Sequence, residues 1–104
     1  MIWFDGFAVR DITTSGSVVR VRVGGVGPPV LLLHGHPETH LMWRHLAPEL
    51  AQRFTVVAAD LRGYGESGKP PTTADHAPYS KRSMALDMAE VMTALGQDRF
   101  AVVG

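Results

Sequence analysis

An α/β fold, with a parallel sheet carrying helices on its faces behind an N-terminal β-hairpin, is what this sequence predicts, and three observations predict it. Continuous apolar runs at Val30–Leu33, Phe54–Ala59 and Phe100–Val103 read as strands buried on both faces. Segments of helical spacing separate them, and strands alternating with helices give a parallel sheet. The 104 residues suffice for one small domain, taken here as residues 1–104.

The elements follow in order. Phe7–Thr14 is a short strand closed by the turn-like Ser15-Gly16. In Ser17–Val23, Val19, Val21 and Val23 alternate with Arg20 and Arg22, a strand with one wet face. The two make an antiparallel hairpin. Gly24–Pro29 is a loop. After the Val30–Leu33 strand, Trp43, Leu46, Ala47 and Leu50 recur at helical spacing, with Pro48 splitting the segment and starting a second short helix. The Phe54–Ala59 strand closes at Asp60, and the Gly- and Pro-rich stretch Leu61–Pro78 is a long loop of the kind that tends to be functional. Ser80 is an N-cap, Met84, Met88, Val91, Met92 and Leu95 form one apolar stripe, and Gly96 stops the helix. The methionines read as core filler.

Composition narrows the function. Hydrophobic residues are 45% and charged residues 19% of the chain, an ordinary globular mix. Ten basic residues balance ten acidic ones, so no net field draws the chain to nucleic acid or an anionic membrane. Cysteine is absent, which excludes disulfides and thiolate metal sites. The start, Met1-Ile2-Trp3-Phe4-Asp5-Gly6, has no basic region followed by an apolar run, and the apolar run Val30–Leu33 is far too short for a membrane span. A cytoplasmic location is expected, with no membrane partner.

Ligands of parallel sheets sit beyond the carboxyl ends of the strands. Two motifs there compete for other chemistry. Gly63-Tyr64-Gly65-Glu66-Ser67-Gly68-Lys69 fits the G-x-x-x-x-G-K phosphate loop. However, Pro70 and Pro71 follow it, and they supply neither the hydroxyl for Mg²⁺ nor the amide hydrogens of a helix start. His34, His36, Glu38 and His40, with His45 nearby, resemble the H-x-H-x-D-H metal cluster of metallo-β-lactamase-like hydrolases. Glu38 stands where that cluster has Asp, and Thr39 separates it from the next histidine. No metal and no cofactor is expected.

A third set of matches is more specific. His34-Gly35-His36-Pro37-Glu38-Thr39 followed by Met42-Trp43 resembles the H-G-[FH]-P…M-W segment of haloacetate dehalogenases and epoxide hydrolases. Asp60-Leu61-Arg62-Gly63-Tyr64-Gly65-Glu66-Ser67 is similar to their D-x-R-G-x-G-x-S loop. Asp75-His76-Ala77-Pro78-Tyr79-Ser80 resembles the D-H-A-x-Y-S stretch of fluoroacetate-type dehalogenases. The resemblance covers nearly the whole chain. It implies the N-terminal portion of an α/β-hydrolase fold, with strands in the order 1-2-4-3-5.

The resemblance also implies a mechanism. In this superfamily the loop after the third strand gives one oxyanion-hole amide. Here that amide is the backbone N–H of His36, with His34, Gly35 and Pro37 as the loop's scaffold: Gly35 permits the sharp turn and Pro37 stiffens it. The dehalogenases usually carry Phe where this chain has His36. The nucleophile lies in a G-x-Nu-x-G turn after the fifth strand. Phe100–Gly104 is that strand and its first glycine, so the nucleophile, the acid and the catalytic histidine are expected beyond Gly104. These residues alone are therefore expected to be inactive.

The implied activity is hydrolytic cleavage of a carbon–halogen bond in a small molecule, using an Asp nucleophile. Epoxide hydrolase and Ser esterase are the alternatives within the fold. A non-catalytic ligand-binding protein or an inert fragment is the alternative outside it, and a homodimer is left open. Asp60, Arg62, Gly63 and Ser67 are expected to brace their loop, Trp43 to pack beneath the oxyanion loop, and His34 to be a hydrogen-bonded structural imidazole. The fifth strand is expected to leave an unpaired edge.

Overall fold

A computed structural model describes residue 4 and residues 6–34, 39–65, 67–69 and 81–104. Five strands form one sheet: β1 (Ala8–Thr13), β2 (Val18–Gly24), β3 (Pro29–Leu33), β4 (Thr55–Ala59) and β5 (Ala101–Val103). Their order across the sheet is β1-β2-β4-β3-β5. The expected hairpin, the three parallel strands and the strand order are all present. β1 and β2 are antiparallel with Asp11 opposite Arg20, and β2 runs antiparallel to β4. β3 lies between β4 and β5, parallel to both, with Leu31 opposite Val57 on one side and Val102 on the other.

The hairpin turns at Thr14–Ser17. The Thr14 amide donates to the Ser17 carbonyl at 2.8 Å, and the Ser17 amide returns a bond to the Thr14 hydroxyl at 3.0 Å. Arg20 grips Asp11 with two bonds of 2.7 and 2.8 Å across the strand pair.

Alternation within the strands creates two cores. Val19, Val21, Leu31, Val57 and Ala59 point to one face and meet Met88, Val91 and Met92 of the helix α2 (Lys81–Ala94). Val30, Leu32, Val56 and Ala58 point to the other face, where they meet Phe4 and Ala47, with Trp43, Leu50 and Phe54 packed around them. β3 and β4 are thus covered on both sides, as their unbroken apolar sequences require. Each fully buried Val or Leu side chain contributes about 1.5–3 kcal/mol relative to exposure.

The segment after β3 differs in detail from its expected form. A 3₁₀ turn, His40–Trp43, comes first, capped by the Thr39 hydroxyl, which accepts from the Leu41 amide. The α-helix α1 (Leu46–Leu50) follows. The break falls at Arg44-His45, and Pro48 is the third residue of α1. A first-turn amide has no partner within the helix, so proline is tolerated there.

α2 ends where expected. Gly96, at φ +79°, adopts the left-handed conformation, and the Gln97 and Gly96 amides return to the Met92 and Thr93 carbonyls at 2.8 and 3.0 Å. The proposed N-cap, Ser80, lies outside the described residues.

β5 is a correction. Its sequence predicted a strand buried on both faces, yet all three of its residues are exposed, Val102 by 54% and Val103 by 41%. The strand pairs with β3 alone, and nothing among the described residues covers its outer side. Phe100, expected in the strand, instead packs against the α2 core just before it.

Two outcomes are expected. Leu32→Ala, at a fully buried position, should lower the stability of the chain by about 2–5 kcal/mol in urea unfolding, whereas Val26→Ala at an 87% exposed loop position should stay within about 0.5 kcal/mol. The second concerns the hairpin. The Arg20 guanidinium holds the Asp11 carboxyl below its usual value of 3.8. A depressed carboxylate stabilises the fold at pH above its unfolded value, and this contribution is lost as pH falls through the lowered one. An NMR titration should therefore place the Asp11 midpoint below 3.8, and Arg20→Gln should move it back up.

Candidate functional site

The three parallel strands end together. Leu33 is paired with Ala59 and Leu32 with Val103, so the residues that follow, His34, Asp60 and Gly104, emerge at one edge of the sheet. Gly104 follows Val103 beside Leu33, close enough that a Cβ on it would touch the Leu33 side chain. The entry to the His34–Pro37 segment and the end of β5 are thus neighbours.

His34 is buried, and its Nε2 accepts the Leu61 amide at 2.9 Å. A ring nitrogen that accepts carries no proton, so the proton of the neutral ring sits on Nδ1. The Tyr64 ring stands edge-on to it at 5.1 Å. An imidazole held in this way orients the chain leaving β3; its Nε2 is engaged and is not presented as a base. Gly35, His36 and Pro37, the other residues read as the oxyanion loop, lie outside the described residues, as does Glu38.

The far side of that segment is anchored next door. Asp60 is fully buried, and one carboxylate oxygen takes both the His40 amide at 2.7 Å and the His40 Nδ1 at 2.8 Å. Consecutive residues at the end of β4, Asp60 and Leu61, therefore tie down the residues on either side of the 35–38 segment. Asp60 was expected to brace its own loop; its bonds to the residue-40 amide and ring show that it braces a different one as well.

The loop after β4 folds back over Asp60. The Ser67 hydroxyl donates to the Asp60 carbonyl at 2.5 Å and accepts the Arg20 amide at 2.8 Å. The Gly63 amide bonds the Gly68 carbonyl, and the Gly68 amide bonds the Val18 carbonyl at 2.6 Å. Gly65, at φ +52°, presses its backbone onto the Asp60 carboxylate, where a Cβ would overlap the oxygens. These same bonds dispose of the phosphate-loop reading. Lys69 Nζ donates to the Gly65 and Ser67 carbonyls at 2.9 and 3.3 Å, so its ammonium is turned onto the loop, while the Gly63 and Gly68 amides are spent on backbone carbonyls.

Arg62 reaches the other way. Its Nε and one terminal nitrogen grip the two oxygens of Asp87 at 2.6 Å each, and the Thr14 hydroxyl donates to the same carboxylate at 2.7 Å. Arg62 and Asp87 are 5% and 1% exposed, so this is a buried pair that locks α2 to the post-β4 loop and the hairpin turn. Trp43 packs into the α1-side core. Of the metal candidates, His40 faces Asp60 and His34 faces an amide; among the described residues no three His, Asp or Glu side chains converge.

Sequence reasoning missed Asp87 and read His40 only as a metal candidate. A signal for Asp87 was available: it lies three residues after Met84 and four before Val91, on the apolar stripe of α2. A charge in such a stripe needs a buried partner.

Comparison with known proteins agrees with this geometry. The model of the α/β hydrolase fold family matches residues 28–104. The chain belongs to the α/β hydrolase family. It is 50% identical over 101 residues to a fluoroacetate dehalogenase of a Burkholderia species, covering 97% of this chain and 33% of that protein. It is 48% identical over 80 residues to a soluble epoxide hydrolase of Corynebacterium sp. strain C12, covering 77% of this chain and 26% of that protein. The solved structure of an epoxide hydrolase from an endophytic Streptomyces superposes with a TM-score of 0.87 at 39% identity, covering 95% of this chain and 29% of that one. The α/β hydrolase chain described here thus spans about a third of the length of relatives such as the Burkholderia protein. No helix among the described residues is long and apolar enough to cross a membrane.

The buried pair gives a sharp test. Asp87→Ala strands the Arg62 charge and should cost about 3–5 kcal/mol in chemical denaturation. Replacing both partners, Arg62→Met with Asp87→Leu, should recover most of that loss.

Proposed function

We propose that this chain supplies the oxyanion loop and part of the pocket floor of a hydrolase acting on small halogenated acids by way of an ester on the enzyme. The observation that carries the reading is the adjacency of Gly104 and Leu33 at the carboxyl ends of β5 and β3. It sets the start of the His34–Pro37 segment beside the point where the family's nucleophile turn begins. The 50% identity to a fluoroacetate dehalogenase supports this substrate class.

The chemistry has two steps. A carboxylate from the turn after β5 attacks the halogen-bearing carbon; the carbon–oxygen bond forms as the carbon–halogen bond breaks, and halide leaves. Water, deprotonated by a histidine, then adds to the ester carbonyl. The resulting oxyanion takes the His36 backbone N–H as a hydrogen-bond donor before it collapses to free the hydroxy acid and restore the carboxylate. Neither metal nor cofactor enters this scheme, and the working enzyme is placed in the cytoplasm. The second reading, epoxide opening by the same carboxylate, is favoured by the 48% identity to a soluble epoxide hydrolase.

The test joins residues 1–104 to the C-terminal two thirds of the Burkholderia dehalogenase. Fluoride release from fluoroacetate is expected, and diol formation from an epoxide without halide release would favour the second reading. Residues 1–104 alone should release no halide. In the chimera, His36→Phe should keep kcat within several-fold, because the backbone donor is retained. A fall of about 10²–10³, the cost of losing an oxyanion donor, would show that the imidazole itself takes part.

A further inference from the structure

His40 and Trp43 are the first and last residues of the 3₁₀ turn that precedes α1. In a 3₁₀ helix, side chains three residues apart lie one above the other on a single face. Here that face points inward. Leu41 and Met42 are exposed, whereas His40 is buried and Trp43 packs with Phe4, Val30 and Leu32 in the α1-side core. Each of the two side chains brings a nitrogen into this apolar region. Nδ1 of His40 is spent on the Asp60 carboxylate at 2.8 Å. An ionised carboxylate only accepts, so Nδ1 carries the proton, and in the neutral ring Nε2 is left as an acceptor. The indole Nε1 of Trp43 only donates. Both His40 Nε2 and Trp43 Nε1 are shut off from solvent, and neither has a hydrogen-bond partner among the described residues. The buried Phe4 ring stands 5.2 Å from the imidazole and helps to close the region.

Buried polar groups are almost always hydrogen-bonded, to protein or to ordered water. The occupant that suits this pair follows from its chemistry. A cation is repelled by the indole N–H, and an anion by the lone pair of Nε2. A water molecule satisfies both at once. The spacing agrees: three residues of a 3₁₀ helix rise about 6 Å, and two hydrogen bonds through one oxygen span up to about 6 Å. We infer that a single buried water binds between His40 and Trp43, donating a hydrogen to Nε2 and accepting the indole N–H. It carries the hydrogen-bonded chain that starts at Asp60 through His40 and into the α1-side core. The inference is independent of the substrate and of the reaction.

The test is NMR on residues 1–104 labelled with ¹⁵N and ¹³C, in a sequence-specifically assigned spectrum. The Trp43 indole proton is expected to show cross-relaxation with a water that stays long enough to tumble with the protein, and His40 Nε2 is expected to carry no proton. In Trp43→Phe the water keeps one of its two bonds. Its residence, followed at the His40 ring proton, should then fall about tenfold. Leu41→Ala, on the exposed side of the turn, should leave it unchanged. The inference is overturned if the Trp43 indole proton of the unaltered chain meets no such water, if Nε2 is protonated, or if Trp43→Phe leaves the residence as it was. The first two measurements need no substitution, so they decide the matter even if a variant fails to fold.

Discussion

The carboxyl ends of the parallel strands are organised around a carboxylate taken wholly out of water. Asp60 has no exposed surface, and an ionised carboxylate in that position is tolerated only if donors surround it. The fold meets this requirement by bringing the residue-40 amide and the His40 ring to one oxygen, and the backbone of Gly65 passes so close to the carboxylate that a Cβ there would overlap it. Each of these contacts constrains something else. The first two fix where the 3₁₀ turn begins. The third explains why the loop after β4 carries glycine at a left-handed position, and Ser67 then seals that loop against β2.

A second buried charge performs a similar task on the helical face. Asp87 interrupts the apolar stripe of α2 and is matched by Arg62 in a two-bond grip, with Thr14 as a third partner. Hydrophobic packing alone would let α2 slide along the sheet, because contacts among Met88, Val91 and Met92 are not directional. The ion pair is directional. It sets the helix against the same loop that covers Asp60, so that the two buried carboxylates meet in a single segment, residues 60–68.

The legibility of the fold in the sequence follows from these facts. β3 and β4 were readable because an unbroken apolar run records burial on both faces, and both faces are in fact covered. β5 carries the same kind of run but is exposed: composition records that a strand is made to be covered, not which residues cover it. The order of the strands came from resemblance to a family and not from the residues themselves. The Asp60–His40 contact was out of reach, since it depends on β3 lying beside β4, a fact of topology and not of spacing. Asp87 was within reach, as a charge at the wrong phase of a helix. His34, the first residue of the motif at 34–37, and His40 beyond it each hold a hydrogen bond at the carboxyl end of the strands.

The function proposed for this region depends on stiffness more than on reactivity. An oxyanion donor is effective when it is already aimed before charge develops, because no reorganisation then accompanies the reaction. On either side of residues 35–38, the described residues are held by their neighbours. His34 is held by the Leu61 amide and His40 by the Asp60 carboxylate, so both flanks refer to adjacent residues of one buried strand end. The described residues at the carboxyl ends of β3 and β4 are machinery for holding backbone in place. That is the contribution an oxyanion loop requires of its surroundings, whether the bond cleaved next to it is to halogen or to an epoxide oxygen.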